Sequence, residues 1–281
     1  MIYIIIASVL LIFILIMSFL IIHSFKLPDQ KHSKTPKDVG IDFEEISIPT
    51  KNDKKLYGWW IKAPQKAPTI ILVHGWGRHS ERLLPYIKKL NGRGFNLLAF
   101  DSRNHGNSDK DDFSSMVKFA EDISACINTV ESKATFERGK ISLIGLSIGG
   151  SASILAAAQD VRINKVISIG APANPSDVME LYIRKKHVPK AIIWLAFEYM
   201  QYRIGRRFSD MSVDNNIHKT DAKVMVVHGK DDRVVPFSQS TIIMKAANDS
   251  QAELWAIEGK GHSNCHYEAG FWNKLIDFLN K

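Results

Sequence analysis

Short apolar runs alternate with amphipathic segments along most of the chain. Several runs are rich in β-branched and aromatic residues and are bounded by Gly, Asn, Asp or Pro, which is typical of strands. The predicted strands lie at residues 43–48, 55–63, 69–75, 96–101, 140–146, 165–170, 223–229 and 252–259. Between two of them, apolar residues from Met116 to Val130 recur at spacings of three and four, which predicts a helix. The alternation predicts an α/β fold, with a mainly parallel eight-stranded sheet and helices on both faces.

The N-terminal segment departs from this alternation. Residues 2–22 contain no charged side chain, and at ~1.5 Å per residue they span about 31 Å, close to the ~30 Å of a bilayer's hydrocarbon core. No basic residue precedes the run, and no small-residue cleavage site follows it at residues 23–26. These features favour an uncleaved anchor over a signal peptide, and we predict a transmembrane anchor at residues 1–25.

The segment after the apolar run is basic. Residues 26–37 contain four lysines against Asp29 as the one acidic residue. Because cytoplasmic flanks carry an excess of Lys and Arg, we expect the rest of the chain to face the cytoplasm at the cell membrane. Its prolines and small polar residues equally fit an ordinary solvated linker. We assign residues 26–41 to a basic linker and residues 42–281 to one globular domain.

A long insertion separates the predicted strands at 165–170 and 223–229. It contains the apolar segment 191–200 and, between residues 184 and 207, seven Lys or Arg against Glu198. We interpret residues from about 173 to 218 as an inserted helical lid. Its apolar side chains fit either a pocket for an apolar substrate or simple packing onto the core. Its basic side chains fit either contact with anionic lipid or an ordinary solvated face.

The turn after the predicted strand at 140–146 carries the sequence Gly145-Leu146-Ser147-Ile148-Gly149. A G-x-S-x-G pattern between a buried strand and a helix is typical of a nucleophile elbow, whose sharp turn exposes the serine hydroxyl at the sheet edge. A serine at a helix N-terminus also lies where the helix dipole favours developing negative charge. The pentapeptide alone equally fits a glycine-rich turn with an inert serine.

Two further polar groups follow the ends of later strands. The strand at 223–229 leads into Asp231-Asp232, and the strand at 252–259 leads into His262. A serine hydroxyl needs a neighbouring base to take its proton, and the base needs a carboxylate that holds its tautomer. Because active sites of open α/β sheets lie at the carboxyl ends of the strands, we expect these groups to meet the serine there.

Residues 43–281 resemble the α/β-hydrolase superfamily. The resemblance rests on five patterns that occur in the superfamily's order. The first three are His74-Gly75-Trp76-Gly77, the D-x-R-x-H-G-x-S segment Asp101–Ser108, in which Asn104 replaces the usual Gly, and the elbow Gly145–Gly149. The last two are the G-x-x-D-x-x-V-P segment Gly229–Pro236 and the G-x-G-H segment Gly259–His262. It implies an α/β-hydrolase fold and a Ser147–Asp232–His262 triad. It also implies an oxyanion hole formed by the N–H groups of Trp76 and Ile148. It selects Asp232 over Asp231, which stays as an alternative.

The resemblance further implies acyl transfer through an acyl-enzyme, without a cofactor. With the anchor and the apolar lid, it predicts a serine hydrolase that cleaves carboxylic ester or thioester bonds of small acyl, lipid-like substrates. Aminopeptidase-like and acyltransferase activities remain alternatives, as does a non-catalytic membrane-tethered binding protein on the same fold. We expect no metal, because His262, Cys265 and His266 have no second ligand group at a suitable spacing. Cys126 and Cys265 are too few for a disulfide framework.

The net charge of +8 raises the question of an anionic partner. The excess lies in the linker and the lid, and the rest of the chain is close to neutral. No nucleic-acid-binding motif is present, so we expect the protein not to bind nucleic acid. The anionic partner that we expect instead is a membrane surface. The sequence makes no prediction of oligomeric state.

Overall fold

The computed structural model describes residues 2–24, 27 and 30–281. For residues 14, 17, 18 and 21–24 it describes the backbone but not the side chains. The strands of this part of the chain form one eight-stranded sheet in the order β1-β2-β4-β3-β5-β6-β7-β8. They are β1 (Glu44–Thr50), β2 (Lys54–Ile61), β3 (Ala67–Val73), β4 (Asn96–Phe100), β5 (Phe136–Leu146), β6 (Ile163–Ile169), β7 (Lys223–Gly229) and β8 (Ala252–Ile257). β2 pairs antiparallel with β1 and β4, whereas the pairs from β4 through β8 are parallel. The predicted α/β fold with its mainly parallel sheet is confirmed.

Helices cover both faces of this sheet. The helices of the described residues are α1 (Ile2–Ser24), α2 (Leu84–Leu90), α3 (Met116–Glu131), α4 (Ile148–Ala157), α5 (Pro175–Arg184), α6 (Lys190–Ile204), α7 (Phe208–Met211), α8 (Ser238–Ala246) and α9 (Phe271–Asn280), and those that pack on the sheet are α2, α3, α4, α8 and α9. Successive residues of a strand point to opposite faces, so Leu143 of β5 packs with α3, α4 and α8, whereas Ile144 packs with α2 and α9. Burial on both sides explains why the parallel strands are continuous apolar runs.

Helix α3 coincides with the helix predicted from periodicity. Its N-cap residue Ser115 accepts a hydrogen bond from the Lys118 N–H, which satisfies one of the free donors of the first turn. Ile123 and Ile127 on its apolar face are fully buried against the sheet. The spacing of apolar residues therefore identified both the helix and its buried face.

The insertion between β6 and β7 consists of α5, α6, α7 and a 3₁₀ turn at Ile217–Lys219. The Val213 N–H donates to the Ala173 carbonyl oxygen at 2.7 Å, which joins the two ends of the insertion at its base. Several large apolar side chains on α5 and α6 are exposed, including Tyr182, Trp194 and Tyr202. The lid therefore has apolar side chains that the rest of the described chain does not cover.

The N-terminal apolar segment forms α1, which contacts α6 of the lid. Many of its described side chains are exposed, among them Tyr3, Ile4 and Val9. Across the part of the chain that the structure describes, no helix combines the length and the apolarity needed to cross a membrane. The predicted anchor at residues 1–25 therefore finds no support there.

Part of the predicted linker packs onto the domain. The Ser33 N–H and hydroxyl and the Lys34 N–H donate to the Glu81 carboxylate at 2.8, 2.8 and 3.2 Å. A 3₁₀ turn at Pro36–Val39 follows and leads to the buried side chain of Ile41. The domain boundaries drawn from the sequence stay predictions, but these residues hold the linker against the fold.

Candidate active site

Ser147 occupies a sharp turn between β5 and α4. Its backbone angles are φ 55° and ψ −126°, in the left-handed half of the Ramachandran plot, where a side chain costs of order 1–3 kcal/mol. The Ser147 N–H donates to the Ile169 carbonyl oxygen of β6 at 2.8 Å, and the Gly150 N–H donates to the Ser147 carbonyl oxygen at 2.8 Å. These bonds hold the strained turn and place Ser147 at the carboxyl edge of the sheet.

Two glycines of the elbow have no room for a side chain. A Cβ atom on Gly145 would overlap the Gly149 carbonyl group and approach the Gly150 Cα to 2.6 Å. A Cβ atom on Gly149 would overlap the carbonyl oxygen of His74, the residue after β3. The close approach of β3, β5 and α4 therefore requires glycine at both positions.

Asp232 and His262 lie in the loops after β7 and β8 and contact each other. The His262 Nδ1 lies 2.7 Å from Asp232 Oδ2, and the other carboxylate oxygen accepts the N–H groups of Val234 and Val235, each at 2.8 Å. Asp232 is buried, whereas Asp231 is exposed. The structure thus brings Asp232 to His262 and leaves Asp231 at the surface.

The environment of Asp232 favours its ionised form. Burial alone would raise the pKa of Asp232, but hydrogen bonds from His228 and His262 outweigh it and hold this pKa well below its usual range. His228 is fully buried, and its Nε2 lies 3.0 Å from the Val235 carbonyl oxygen and 3.4 Å from Asp232 Oδ2. His228 therefore stabilises the turn that carries Asp232.

The end of β6 contacts both the Ser147 turn and the His262 side chain. Ile169 accepts the backbone hydrogen bond of Ser147, and Gly170 follows it directly. A Cβ atom on Gly170 would lie 3.3 Å from His262 Nδ1 and 3.6 Å from Asp232 Oδ2. The Ser147 backbone and the Asp232–His262 pair therefore contact consecutive residues of one strand end.

The predicted oxyanion donors lie at the same edge. Ile148 is the first residue of α4 and follows Ser147 directly. Trp76 follows Gly75, and a Cβ atom on Gly75 would lie 3.3 Å from the Ser147 Cβ. The strand end that carries Trp76 is thus in contact with the elbow that carries Ser147.

Two buried histidines stabilise the loops around these donors. His74 Nδ1 donates to the Gly75 carbonyl oxygen at 2.8 Å, and its Nε2 accepts the Ser102 N–H at 3.0 Å, a pattern that requires a neutral ring protonated at Nδ1. His105 Nδ1 lies 2.9 Å from the Arg103 carbonyl oxygen. Burial lowers the pKa of His74 to about 4 and that of His105 to about 3. Both are neutral at pH 7 and act as structural supports.

Arg103 forms a buried ion cluster that sequence reasoning did not identify. Its guanidinium contacts Asp122 at 2.8 Å, Glu121 at 2.6 Å and Asp111 at 3.1 Å, and its side chain is almost fully buried. The cluster ties the loop at residues 101–108 to α3. The arginine was visible as part of the D-x-R-x-H-G-x-S segment, but its partners carry no spacing signal.

The family described as serine aminopeptidase, S33, matches residues 64–212, which is more than half of the chain. The protein belongs to this family of the α/β-hydrolase superfamily. Among curated relatives, YfhR of Salmonella typhimurium is 26% identical over 252 residues, covering 85% of this chain and 80% of YfhR. The AB hydrolase superfamily protein YisY of Bacillus subtilis is 24% identical over 250 residues, covering 74% of this chain and 89% of YisY.

Solved structures share the fold. The Pyrococcus furiosus esterase Pf2001 matches with a TM-score of 0.72 at 22% identity, and the match covers 91% of this chain and 96% of Pf2001. The α/β hydrolase GrgF from Penicillium sp. matches with a TM-score of 0.69 at 20% identity, and the match covers 85% of this chain and 98% of GrgF. The family match makes the protein a hydrolase of the α/β-hydrolase type, and these likenesses show that it has the same fold.

Proposed function

We propose that the protein is a membrane-anchored serine hydrolase that cleaves carboxylic ester or thioester bonds of small acyl, lipid-like substrates. The observation that carries the proposal is the Asp232–His262 pair beside the strand end that holds the strained Ser147 turn. Acyl transfer by a serine requires a nucleophile, a base and a carboxylate, and Ser147, Asp232 and His262 follow one another in the order that α/β-hydrolases use. The non-catalytic alternative would be expected to lack one of these three groups.

In the proposed mechanism, the Ser147 hydroxyl attacks the acyl carbon while His262 takes its proton. The resulting oxyanion accepts hydrogen bonds from the N–H groups of Trp76 and Ile148, a contribution of about 2.7–4 kcal/mol per donor in comparable sites. His262 then protonates the departing alcohol or thiol, which leaves Ser147 acylated. A water molecule gives a proton to His262 and attacks the acyl group, and as the acyl–Oγ bond breaks and the acid leaves, His262 returns that proton to the Ser147 oxygen. Asp232 orients His262 throughout.

The preference for apolar acyl substrates is supported by the lid. Trp194 is 62% exposed and Tyr202 is 81% exposed, so α6 offers aromatic surface that an acyl chain can contact. The names of two structural neighbours support ester cleavage, since Pf2001 is an esterase and Est1E from Butyrivibrio proteoclasticus was solved with ferulic acid. The family description instead keeps aminopeptidase activity as the competing reaction.

Parallel kinetics on esters and amides test this proposal. We expect p-nitrophenyl esters of increasing chain length to be hydrolysed with a higher kcat/KM than aminoacyl p-nitroanilides, because the lid offers apolar surface. The Ser147→Ala variant is the matched control and should be inactive on both series. Faster cleavage of the anilides would contradict the ester assignment and favour an aminopeptidase. Full ester hydrolysis by Ser147→Ala would contradict the mechanism itself.

Acyl transfer to an alcohol is the second candidate. The relative that favours it is the polyketide transferase GrgF, which is 26% identical over 148 residues and covers 49% of this chain and 50% of its own. The same acyl-enzyme serves both reactions, and they differ in whether water or an alcohol attacks it. Adding glycerol to the ester assay and measuring products separates them. Free acid as the main product supports the hydrolase, and a new ester supports the transferase.

The anchoring part of the proposal is supported by the N-terminal sequence. Residues 2–22 are uncharged and would span about 31 Å as a helix at ~1.5 Å per residue, and four lysines follow them. This arrangement favours a single-pass anchor in the cell membrane with the catalytic domain on the cytoplasmic side. The lid joins exposed Tyr182 and Trp194 with nearby lysines and arginines, a combination that suits contact with anionic lipid.

Carbonate extraction of membranes from cells that express the full chain tests the anchor. We expect the wild type to stay in the pellet. The double variant Leu10→Lys/Phe13→Lys should become soluble, because each charge at the bilayer centre costs about 2.5–3.5 kcal/mol. The soluble variant should then bind phosphatidylglycerol vesicles in a salt-sensitive way if the lid contacts lipid. Extraction of the wild type would contradict the anchor, and no vesicle binding at low salt would contradict lid contact.

A further inference from the structure

His32 lies in the segment expected to be a solvated linker, yet its side chain is 4% exposed. Its ring packs among Tyr57, Trp59 and His79, at centroid distances of 5.3, 4.8 and 4.8 Å. Its Nε2 lies 3.0 Å from Asp101 Oδ2. A side chain in a pocket of this kind is part of the domain, although it comes from outside the predicted domain boundary.

Asp101 joins the two loops beside the active site. Its Oδ1 accepts the Ser80 N–H at 2.8 Å and the Ser80 hydroxyl at 2.7 Å, and its Oδ2 accepts the Asn107 N–H at 2.8 Å. His32 completes this arrangement, since its Nε2 also lies 3.2 Å from Ser80 Oγ and its Nδ1 lies 3.3 Å from Asn107 Nδ2. Burial would raise the pKa of Asp101, but the hydrogen bond and charge of His32 help to hold it below its usual value.

The Ser80 loop is continuous with the strand end that carries the oxyanion donor. It begins at Gly75, which lies against the Ser147 side chain, and the Arg78 N–H donates to the Gly75 carbonyl oxygen at 3.2 Å. His74, directly before it, accepts the Ser102 N–H from the loop that Asp101 begins. Ser80 and Asp101 are therefore connected to the backbone around Trp76 by chain continuity and hydrogen bonds.

We propose that His32 is a positioning residue for the oxyanion side of the active site, so that the N-terminal segment belongs to the catalytic framework. His32 acts through Asp101 and Ser80 on the loop of Trp76 and does not touch the substrate. The inference rests on the proposed function, because an oxyanion donor matters when Ser147 forms a tetrahedral adduct. A misplacement of about 1 Å in such a site can cost about 100-fold in rate.

Variants of His32 in the full-length chain test the inference. His32→Phe keeps a ring against Tyr57 and Trp59 but removes the contact with Asp101, which makes it less prone to unfolding than His32→Ala. We expect His32→Phe to lower kcat, by up to about 100-fold, with little change in KM. Its affinity for an alkyl boronic acid, which forms a tetrahedral adduct on the serine, should fall in parallel. His32→Gln, which restores a donor to Asp101, should recover part of both quantities.

The matched control is His218→Phe, because His218 is exposed and lies in the 3₁₀ turn Ile217–Lys219. It should leave kcat and boronate affinity unchanged. Rates are normalised to active sites titrated with a fluorophosphonate, and melting temperatures are recorded for every variant. A His32→Phe protein with wild-type kcat and boronate affinity per titrated site, whatever its melting temperature, would overturn the inference. A wild type that the fluorophosphonate does not label would instead overturn the proposed function.

Discussion

Replacing Asp232 with Asn is expected to lower kcat by about 10⁴-fold while leaving the fold and KM nearly unchanged. In a serine–histidine–aspartate triad of another protein, the same change had an effect of this size, because the amide holds the wrong histidine tautomer. Here the His262 Nδ1 bonds to Asp232 Oδ2 at 2.7 Å, and a neutral amide in its place cannot stabilise an imidazolium. Steady-state kinetics on a p-nitrophenyl ester, with circular dichroism to verify folding, measure the effect.

The chain supplies a matched control at the preceding residue. Asp231 is exposed, and its backbone N–H donates to the Lys260 carbonyl oxygen at 2.9 Å, a bond that does not depend on its side chain. Asp231→Asn should therefore keep wild-type kcat. If Asp231→Asn were the inactive variant and Asp232→Asn the active one, the carboxylate assignment would have to be reversed.

Gly145→Ala is expected to have the largest effect on stability. The new Cβ atom would overlap the backbone of Gly149 and Gly150, and backbone atoms in this elbow cannot move aside without displacing α4 from β5. Overpacking of a core typically costs about 1–3 kcal/mol, and we expect a backbone clash to exceed about 3 kcal/mol in the free energy of unfolding. Urea denaturation followed by tryptophan fluorescence measures it.

Gly261→Ala is the control for this effect. A Cβ atom there would meet the Asp231 carbonyl oxygen at 3.5 Å, an ordinary contact distance, so we expect a change within about 0.5 kcal/mol. Equal stability of the two variants would show that the elbow has room for a side chain. In that case the explanation of Gly145 by steric exclusion would be wrong.

The sheet and the candidate site could be predicted because their signals are local. Each parallel strand is a short apolar run with a polar segment directly after it, and parallel strands place those segments at one edge. Ser147 and His262, which are far apart in sequence, are thus assigned to the same edge without any information on contacts. The boundaries were less accurate, since β5 begins at Phe136, before the predicted start at Lys140.

Long-range polar contacts left no such signal. The pair of His32 and Asp101 joins residues 69 positions apart, and the composition around His32 is that of a solvated linker. The three carboxylates around Arg103 likewise follow no spacing rule, because a loop and a helix bring them together. Local composition predicts the average exposure of a segment. Whether a single histidine in that segment is buried depends on tertiary packing, which the local sequence does not show.

The identity of Ser147 as the nucleophile is the central claim, and peptide mapping of a fluorophosphonate adduct tests it most directly. We predict that intact mass shows a single adduct per chain and that the modified peptide is the one containing Ser147. Ser147→Ala should abolish the adduct, and His262→Ala should slow its formation, because the base that activates the hydroxyl is lost. An adduct on another residue, or full labelling of Ser147→Ala, would contradict the account.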